Sequence, residues 1–336
     1  MTHIGPFMER IRSTLQAHRL EGCGTYARYL PVSAKDEERW TDVYGTADAA
    51  IILYTMDELP RDPEERTGWI LNLQGYQEPA TGMFRGQKHH EIHSTAFALS
   101  ALELFDAAAA HPLTKLVPLQ DPAQLSSFLN GLDWVNKPWS ESHLGAGIYA
   151  CMVLSGAASP AWEEAYFRWL WDNADPQTGL WRKGCVADEA FAPLGAPIFH
   201  HLAGSFHYLF NQNYRKKPLR YPEKLLDTAL FLYKQNALDY NPEALSYFEV
   251  DWIYTIGSAM RQTDHRLEEC RAAMVQTVKP FLAYIDRLGA KPEEPLPDLH
   301  SLCGAISGLA AIQQWLPELV QTDRPLQLAV DRRPFI

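Results

Sequence analysis

The chain has few cysteines, and the five that it has are scattered along it. Their number is odd and none has a paired spacing, which excludes a disulfide framework and is typical of reduced thiols. Long apolar runs are missing too. No stretch reaches the about 18 apolar residues of a membrane-spanning helix, and the first residues lack the apolar run of a signal peptide. These absences predict a cytoplasmic protein with no membrane partner.

Positive charge is scarce relative to negative charge. The chain has 30 Lys and Arg against 41 Asp and Glu, so its net charge is -11. Bulk nucleic acid and anionic membrane surfaces are bound by basic patches, and both are therefore excluded as partners. The predicted partner is a small-molecule substrate, and the oligomeric state stays open.

Several catalytic signatures are also absent. The sequence has no Gly-rich phosphate loop, no nucleophile elbow and no pair of cysteines at zinc-binding spacing. No segment alternates between apolar and polar residues for long enough to indicate a sheet. Because these motifs are absent, we predict no cofactor. Because no strand pattern is present, we expect an all-α fold.

What the sequence does have is a row of ionisable residues, each opening an apolar helical segment. The gaps between successive members are 45, 50, 58, 50 and 49 residues. That period is long enough for two helices and two loops, so it predicts a helical-hairpin repeat. If six hairpins close into a ring, the six helix starts meet at one end and form a polar funnel. The six residues are Asp48, His93, His143, His201, Asp251 and His300.

Six more amphipathic helices alternate with these apolar ones. Proline in the first turn marks four of their starts, and their exposed faces carry charges of both signs. The predicted ranges are 5–20, 62–74, 121–132, 159–174, 222–236 and 265–287. The sequence therefore predicts one (α/α)6 toroid over residues 1–321, with residues 322–336 as an extended tail that packs on the outside.

One internal repeat is visible residue by residue. Residues 79–85 and 176–182 both contain Pro-x-Thr-Gly, followed by an apolar residue, an aromatic residue and arginine. The turn predicts a positive φ angle at each glycine, which has no Cβ to clash there. The aromatic residue that follows is expected to pack back into the core.

The hairpin pattern resembles the α/α toroids of the terpenoid cyclase and protein prenyltransferase superfamily. Gln74 with Gly82-Met83-Phe84 is similar to their aromatic repeats, and Thr46-Ala47-Asp48 and Thr95 to Leu99 look like their inner helices. The resemblance implies the toroid fold. It does not carry over the activity, because the Asp-rich acid motif of class II cyclases and the Asp-x-Cys zinc motif of prenyltransferases are absent.

Other six-hairpin toroids are glycosidases, uronyl hydrolases, polysaccharide lyases and sugar epimerases. The turn from Asp175 to Trp181 looks like turns in unsaturated-uronyl hydrolases, although their Gly-Asn-Gly-Trp segment is absent. This second resemblance implies a carbohydrate-active enzyme.

The candidate catalytic residues are the carboxyls and imidazoles of the predicted funnel. Acid and base are assigned first to Asp251 and Asp48, because paired carboxyls are the usual apparatus of glycoside chemistry. The full catalytic set is Asp251, Asp48, Glu249, His201 and His93. Aromatic, hydroxyl and cationic side chains of the same loops would bind substrate. These are Tyr44, Arg85, Trp139, His143, Arg182, His200, Tyr247 and His300.

Simpler structural roles compete with these assignments. Aspartate at a helix start can cap the backbone N–H groups, which is the alternative for Asp48 and Asp251. A metal is the alternative for the histidines: His89 and His93 are four residues apart and His90 and His93 three, so one helical face could present two ligands.

Three functions follow. The first is a carbohydrate-active hydrolase, lyase or epimerase acting on a small saccharide, which an arginine would bind if it is anionic. The second is a terpenoid-cyclase-like or prenyltransferase-like enzyme that acts on an isoprenoid. The third is a non-catalytic ligand-binding toroid, in which the polar residues only cap helices.

Overall fold

The computed structural model describes residues 1–31, 41–86, 89–181 and 194–336. Over these ranges the protein is all-α, as predicted. Twelve α-helices account for most of it, with two 3-10 segments (Thr114–Gln120 and Ala329–Asp331) and one parallel pair of two-residue strands, β1 (Thr2–His3) and β2 (Val320–Gln321). None of the described helices combines the length and the apolar character needed to cross a membrane.

The helices alternate between an exposed and a buried type. The exposed type, called the outer helices, comprises α1 (Gly5–His18), α3 (Pro63–Gly75), α5 (Pro122–Gly131), α7 (Pro160–Asn173), α9 (Pro222–Lys234) and α11 (Leu267–Gly289). The buried type, called the inner helices, comprises α2 (Val43–Thr55), α4 (Glu91–Leu104), α6 (Pro138–Leu154), α8 (Ile198–Tyr214), α10 (Phe248–Met260) and α12 (Leu299–Trp315).

The predicted outer helices are confirmed to within two residues at each end. Their N-termini show why the sequence marked them so clearly. In α3, α5 and α7, proline is the first helical residue and the side chain before it caps the helix, accepting a backbone N–H bond. Proline loses no bond at that position, because the first N–H groups of a helix have no intrahelical partner. The three caps are Asp62, Asp121 and Ser159.

The inner helices contact one another in a closed cycle. Each packs against the next along the chain, and α12 packs against α2. Small residues allow the close approach: a Cβ added to Gly204 in α8 would lie 2.6 Å from the carbonyl oxygen of Pro138 in α6. The N-terminal ends of helices far apart in sequence are thereby brought together.

Four of the six ionisable residues do not open their helices as predicted, whereas His93 and His300 lie within two residues of a helix start. Asp48 lies five residues after the start of α2, and Asp251 three residues after the start of α10. The cap of α2 is Asp42, whose side chain accepts from Gly45, and α10 has no side-chain cap. The capping role considered for Asp48 and Asp251 is therefore wrong, and another reason is needed for burying these carboxyls.

The sequence predicts that the C-terminal segment packs on the outside, and this prediction is wrong. Arg333 and Phe335 are fully buried, and Ile336 is nearly so. The amide of Asn211 on α8 donates to the carbonyl of Pro334 at 2.8 Å, and the ring of Phe335 lies 5.2 Å from that of His93 on α4. The segment thus ends among the inner helices, where apolar Phe335 and Ile336 gain burial that an outer surface would not provide.

Candidate functional site

A cavity of about 200 Å³ lies where the inner helices bring their polar residues together. Its walls come from α4, α6, α8, α10 and α12, from the loop that precedes α4, and from the C-terminal segment. The lining residues are His89, His93, Trp139, His143, Phe206, His207, Tyr247, Asp251, His300 and Ile336.

Five of the lining side chains are imidazoles that contact one another. The ring centroid of His93 lies 4.6 Å from the centroids of both His89 and His143. The centroids of His143 and His207 are also 4.6 Å apart. His300 is 5.7 Å from His89. Burial lowers the pKa of His93 and His143 well below the usual value, and the neighbouring imidazoles lower both further. These two rings are therefore neutral, and each has one unprotonated nitrogen that can accept a hydrogen bond or bind a metal.

Tyr44 holds His93 from behind. Its hydroxyl lies 2.6 Å from His93 Nδ1 and 3.2 Å from Ser94 Oγ. Burial raises the pKa of Tyr44 far above its usual value, so the phenol keeps its proton. If it donates that proton to Ser94, its oxygen accepts from Nδ1–H of His93, which leaves Nε2 unprotonated. Tyr44 thus supports the cavity without lining it.

Asp48 supports His300 in a comparable way. The Nδ1–H of His300 donates to Asp48 Oδ1 at 2.9 Å, and Tyr247 Oη lies 3.3 Å from the same nitrogen. Asp48 is fully buried, and burial raises the pKa of its carboxyl although His300 opposes the shift. A carboxylate behind an imidazole fixes the ring and directs Nε2 away from it, which is a common arrangement in general bases.

The two acids of α10 occupy different surroundings. Asp251 lines the cavity, and burial, followed by the charge of Glu249, raises its pKa well above the usual value. Glu249 faces α12 instead, where a Cβ added to Gly308 would lie 2.8 Å from its Cβ. Burial raises the pKa of Glu249 to about 8. Of these two acids, Asp251 therefore lines the cavity and Glu249 does not.

Several polar atoms in this interior have no hydrogen-bond partner among the described residues. They include Asp48 Oδ2, both carboxyl oxygens of Glu249, Asp251 Oδ1 and the guanidinium nitrogens of Arg333. Buried polar groups are nearly always paired in folded proteins, and each exception calls for an explanation. A polar molecule bound in the cavity would supply one for Asp251.

Other predicted residues lie elsewhere. Arg85 is exposed and forms an ion pair with Glu78 at 2.9 Å. His201 is buried but does not line the cavity, and the ring of His200 packs against Trp139 at 5.6 Å. His90 caps α4 by accepting from the N–H of Ile92. Arg182 lies outside the described residues.

Sequence reasoning missed His207, Phe206 and Ile336. The signal for His207 was present, because it is a polar residue within the apolar helical segment that follows His201. Only helix starts were considered, whereas His207 is the tenth residue of α8. The prediction that His89 and His93 share a helical face is also wrong, since α4 begins at Glu91 and His89 lies in the loop before it.

Three of the imidazoles can hold a metal ion. One ring nitrogen from each of His89, His93 and His143 lies within 4.8 Å of the others. Imidazole suits zinc, copper, iron and nickel, so the donor set is that of a transition metal and not of calcium or magnesium.

Comparisons of the chain with protein-family models, with curated proteins and with solved structures return no match. The resemblance to toroid enzymes therefore stays a prediction. Any functional inference rests on the chemistry of the cavity.

Proposed function

We propose that the chain is a six-hairpin (α/α)6 toroid and an enzyme that performs acid–base chemistry on a small carbohydrate. Support for the toroid comes from the closed cycle of contacts among the inner helices and from the alternation of exposed and buried helices. Support for the enzyme comes from one observation. Asp251 and the His300–Asp48 pair face the same small cavity, an acid and a base in unlike surroundings.

The environments of these groups assign their roles. We assign Asp251 as the general acid, because burial raises its pKa and so favours the protonated form. His300 is the general base: Asp48 orients it, and its Nε2 accepts the proton of the substrate. An acid and an oriented imidazole that line one cavity are typical of acid–base catalysis.

The pairing of a carboxyl with an imidazole narrows the reaction type. Hydrolysis of glycosides generally uses two carboxyls flanking the bond. Here Asp48 is hydrogen-bonded to His300 and Glu249 faces α12, so Asp251 is the one carboxyl among the lining residues that the structure describes. Abstraction of a carbon-bound proton, as in epimerisation or elimination, needs one base and one acid and so fits better.

The lining also indicates the kind of substrate. A cavity of about 200 Å³ is below the usual size of a drug-sized ligand pocket, and it suits a single sugar residue. Trp139 offers a ring for stacking, and Tyr247 with the imidazoles offers partners for hydroxyl groups. Among the described residues the lining has no arginine or lysine, and Arg85 pairs with Glu78 outside it.

The other two functions fit less well. An isoprenoid needs a deeper and more aromatic cavity than one with five imidazoles and a volume of about 200 Å³. One observation favours a non-catalytic toroid: Phe335 and Ile336 fill part of the interior with the chain's own side chains. A direct test of turnover separates these functions.

The test is proton NMR of free aldoses, ketoses and disaccharides incubated with the protein in D2O. Epimerisation or elimination should place solvent deuterium at one carbon of the active sugar or release an unsaturated product. Asp251→Asn should lower this turnover by about 10²–10⁴-fold, the usual contribution of a general acid, with little change in thermal stability. The matched control is Asp264→Asn on the exposed surface, which should leave turnover unchanged.

The contrary results are equally clear. If no sugar is turned over, the proposal fails, and consumption of farnesyl diphosphate would then indicate the isoprenoid function. If Asp251→Asn keeps full turnover of an active sugar, Asp251 is not the acid.

A further inference from the structure

Three ring nitrogens converge at one side of the cavity. His89 comes from the loop before α4, His93 from the first turn of α4, and His143 from the second turn of α6. One ring nitrogen from each lies within 4.8 Å of the other two, and the ring centroid of His93 lies 4.6 Å from the ring centroids of His89 and His143. Nothing in the packing of helices requires three polar rings at one point.

We propose that His89, His93 and His143 bind one divalent transition-metal ion of the zinc class, with the remaining coordination position open to the cavity. Zinc lies about 2.0–2.1 Å from imidazole nitrogen, so tetrahedral ligands are about 3.4 Å apart. The three nitrogens would therefore have to approach one another by at most about 1.4 Å. Three protein ligands and an open position are typical of a catalytic zinc site.

The support behind His93 is of the kind that metal ligands have. Histidine ligands usually donate their second ring N–H to an oxygen, which fixes the ring and its tautomer. Tyr44 Oη lies 2.6 Å from His93 Nδ1 and is itself held by Ser94 Oγ at 3.2 Å. With Nδ1 occupied in this way, Nε2 of His93 is the nitrogen available for the ion.

The open position would face the acid–base residues. Asp251 and His300 line the same cavity, so a water or a sugar hydroxyl on the ion would lie among them. An ion at this place would polarise a carbonyl or lower the pKa of a bound hydroxyl. The site goes beyond the proposed acid–base function and does not depend on it, because binding can be measured without any substrate.

The experiment titrates the full chain, stripped with EDTA, with Zn²⁺ by calorimetry and with Co²⁺ by visible absorption. The expected result is one equivalent of either ion, with Co²⁺ absorption of a tetrahedral or five-coordinate site. His89→Asn and His143→Asn should each weaken binding by at least about 100-fold, since loss of a ligand exceeds the 10–100-fold cost of losing an outer partner. Tyr44→Phe should weaken it by about 10-fold without changing the stoichiometry.

His111→Asn is the matched control, because His111 lies in the loop after α4 and does not line the cavity, and it should bind like the unmodified protein. His89 is only partly buried, so we expect its substitution to leave the circular dichroism spectrum of the fold unchanged. Absence of a stoichiometric ion overturns the proposal. Two other results also overturn it: one equivalent of ion that still binds in both His89→Asn and His143→Asn, and loss of the bound ion in His111→Asn. Metal binding and sugar turnover are measured in separate experiments. Either proposal can therefore fail while the other stands.

Discussion

The turn after α3 and the turn after α7 can be compared residue by residue. In the first, Gly82 has a φ of 74° and its N–H donates to the carbonyl of Glu78 at 2.7 Å. In the second, Gly179 has a φ of 71° and donates to Asp175 at 2.8 Å. The aromatic residue two positions later is buried in both, as predicted. A hydroxyl on the next inner helix then accepts its N–H: Thr95 from Phe84 at 2.9 Å, and Ser205 from Trp181 at 3.1 Å.

The same alignment separates the two regions at the cavity. Two residues before the accepting hydroxyl, α4 has His93 and α8 has Ala203; two residues after it, α4 has Phe97 and α8 has His207. Features that recur at equivalent positions hold the inner helices together, whereas the imidazoles occur at positions that do not correspond. In these two hairpins the repeated positions therefore support the fold, and the imidazoles of the candidate site lie at positions that are not repeated.

The largest expected loss of stability comes from the recurrent glycines. A Cβ on Gly82 would lie 2.0 Å from the carbonyl oxygen of Pro112, and one on Gly179 would lie 2.6 Å from the backbone nitrogen of Leu225. Gly82→Ala should lower the free energy of unfolding by about 4 kcal/mol, from left-handed strain of about 1–3 kcal/mol plus crowding. Gly179→Ala should cost somewhat less, as measured by urea denaturation.

Gly75 provides the control. It ends α3, its φ is not positive, and nothing lies within 4 Å of an added Cβ. Gly75→Ala should be neutral or stabilise by up to about 1 kcal/mol. If Gly82→Ala and Gly179→Ala behave like Gly75→Ala, the turns do not hold the fold.

The helices and turns could be predicted because their signals are local. Proline with a capping Asp or Ser marks a helix start within a few residues, and Pro-x-Thr-Gly marks a turn wherever it occurs. The position of the C-terminal segment could not be predicted. An apolar ending such as that of Phe335 and Ile336 shows that burial is favoured, but the groove that receives it is built from distant helices.

The candidate site was predictable in part for the same reason. Asp251, His93, His143 and His300 stood out as polar residues in apolar helical segments, and the structure places all four around the cavity. Whether a side chain lines a cavity depends on its angle around the helix and on its depth. Sequence reasoning used the order of residues and not that angle, so it selected His201 and overlooked His207.

Glu249 differs from the residues that hold the two turns, because burying its carboxyl lowers the stability of the fold. Its pKa of about 8 in the folded protein exceeds the usual value of 4.5, so the native state binds a proton that the unfolded chain releases. The stability from this proton is complete below about pH 4.5 and is lost as the pH rises to 8. Glu249→Gln stays neutral and should gain stability over the unmodified protein by up to about 1.4 kcal/mol per pH unit above 4.5, a total of up to about 3.5 kcal/mol at pH 7.

The measurement is the difference in free energy of unfolding between the two proteins at pH 5, 6, 7 and 8. Glu268→Gln on the exposed face of α11 is the control and should show no such trend. A difference that is constant with pH would mean that Glu249 is ionised in the folded state. That result would remove it from the groups that the protein buries at a cost.

The smallest loss of stability is expected when the hydroxyls that accept hydrogen bonds from the two turns are removed. Thr95→Val and Ser205→Ala each leave a buried backbone N–H, of Phe84 or of Trp181, without its acceptor, and each should cost about 1–2 kcal/mol in urea denaturation. The two losses should be alike, because the contacts are equivalent, and the Zn²⁺ affinity and turnover should not change. Ser127→Ala, whose hydroxyl bonds the preceding turn of α5 at the exposed surface, should cost little. Unequal losses, or a change in the cavity from Thr95→Val alone, would show that the two hairpins differ in structure as well as in chemistry.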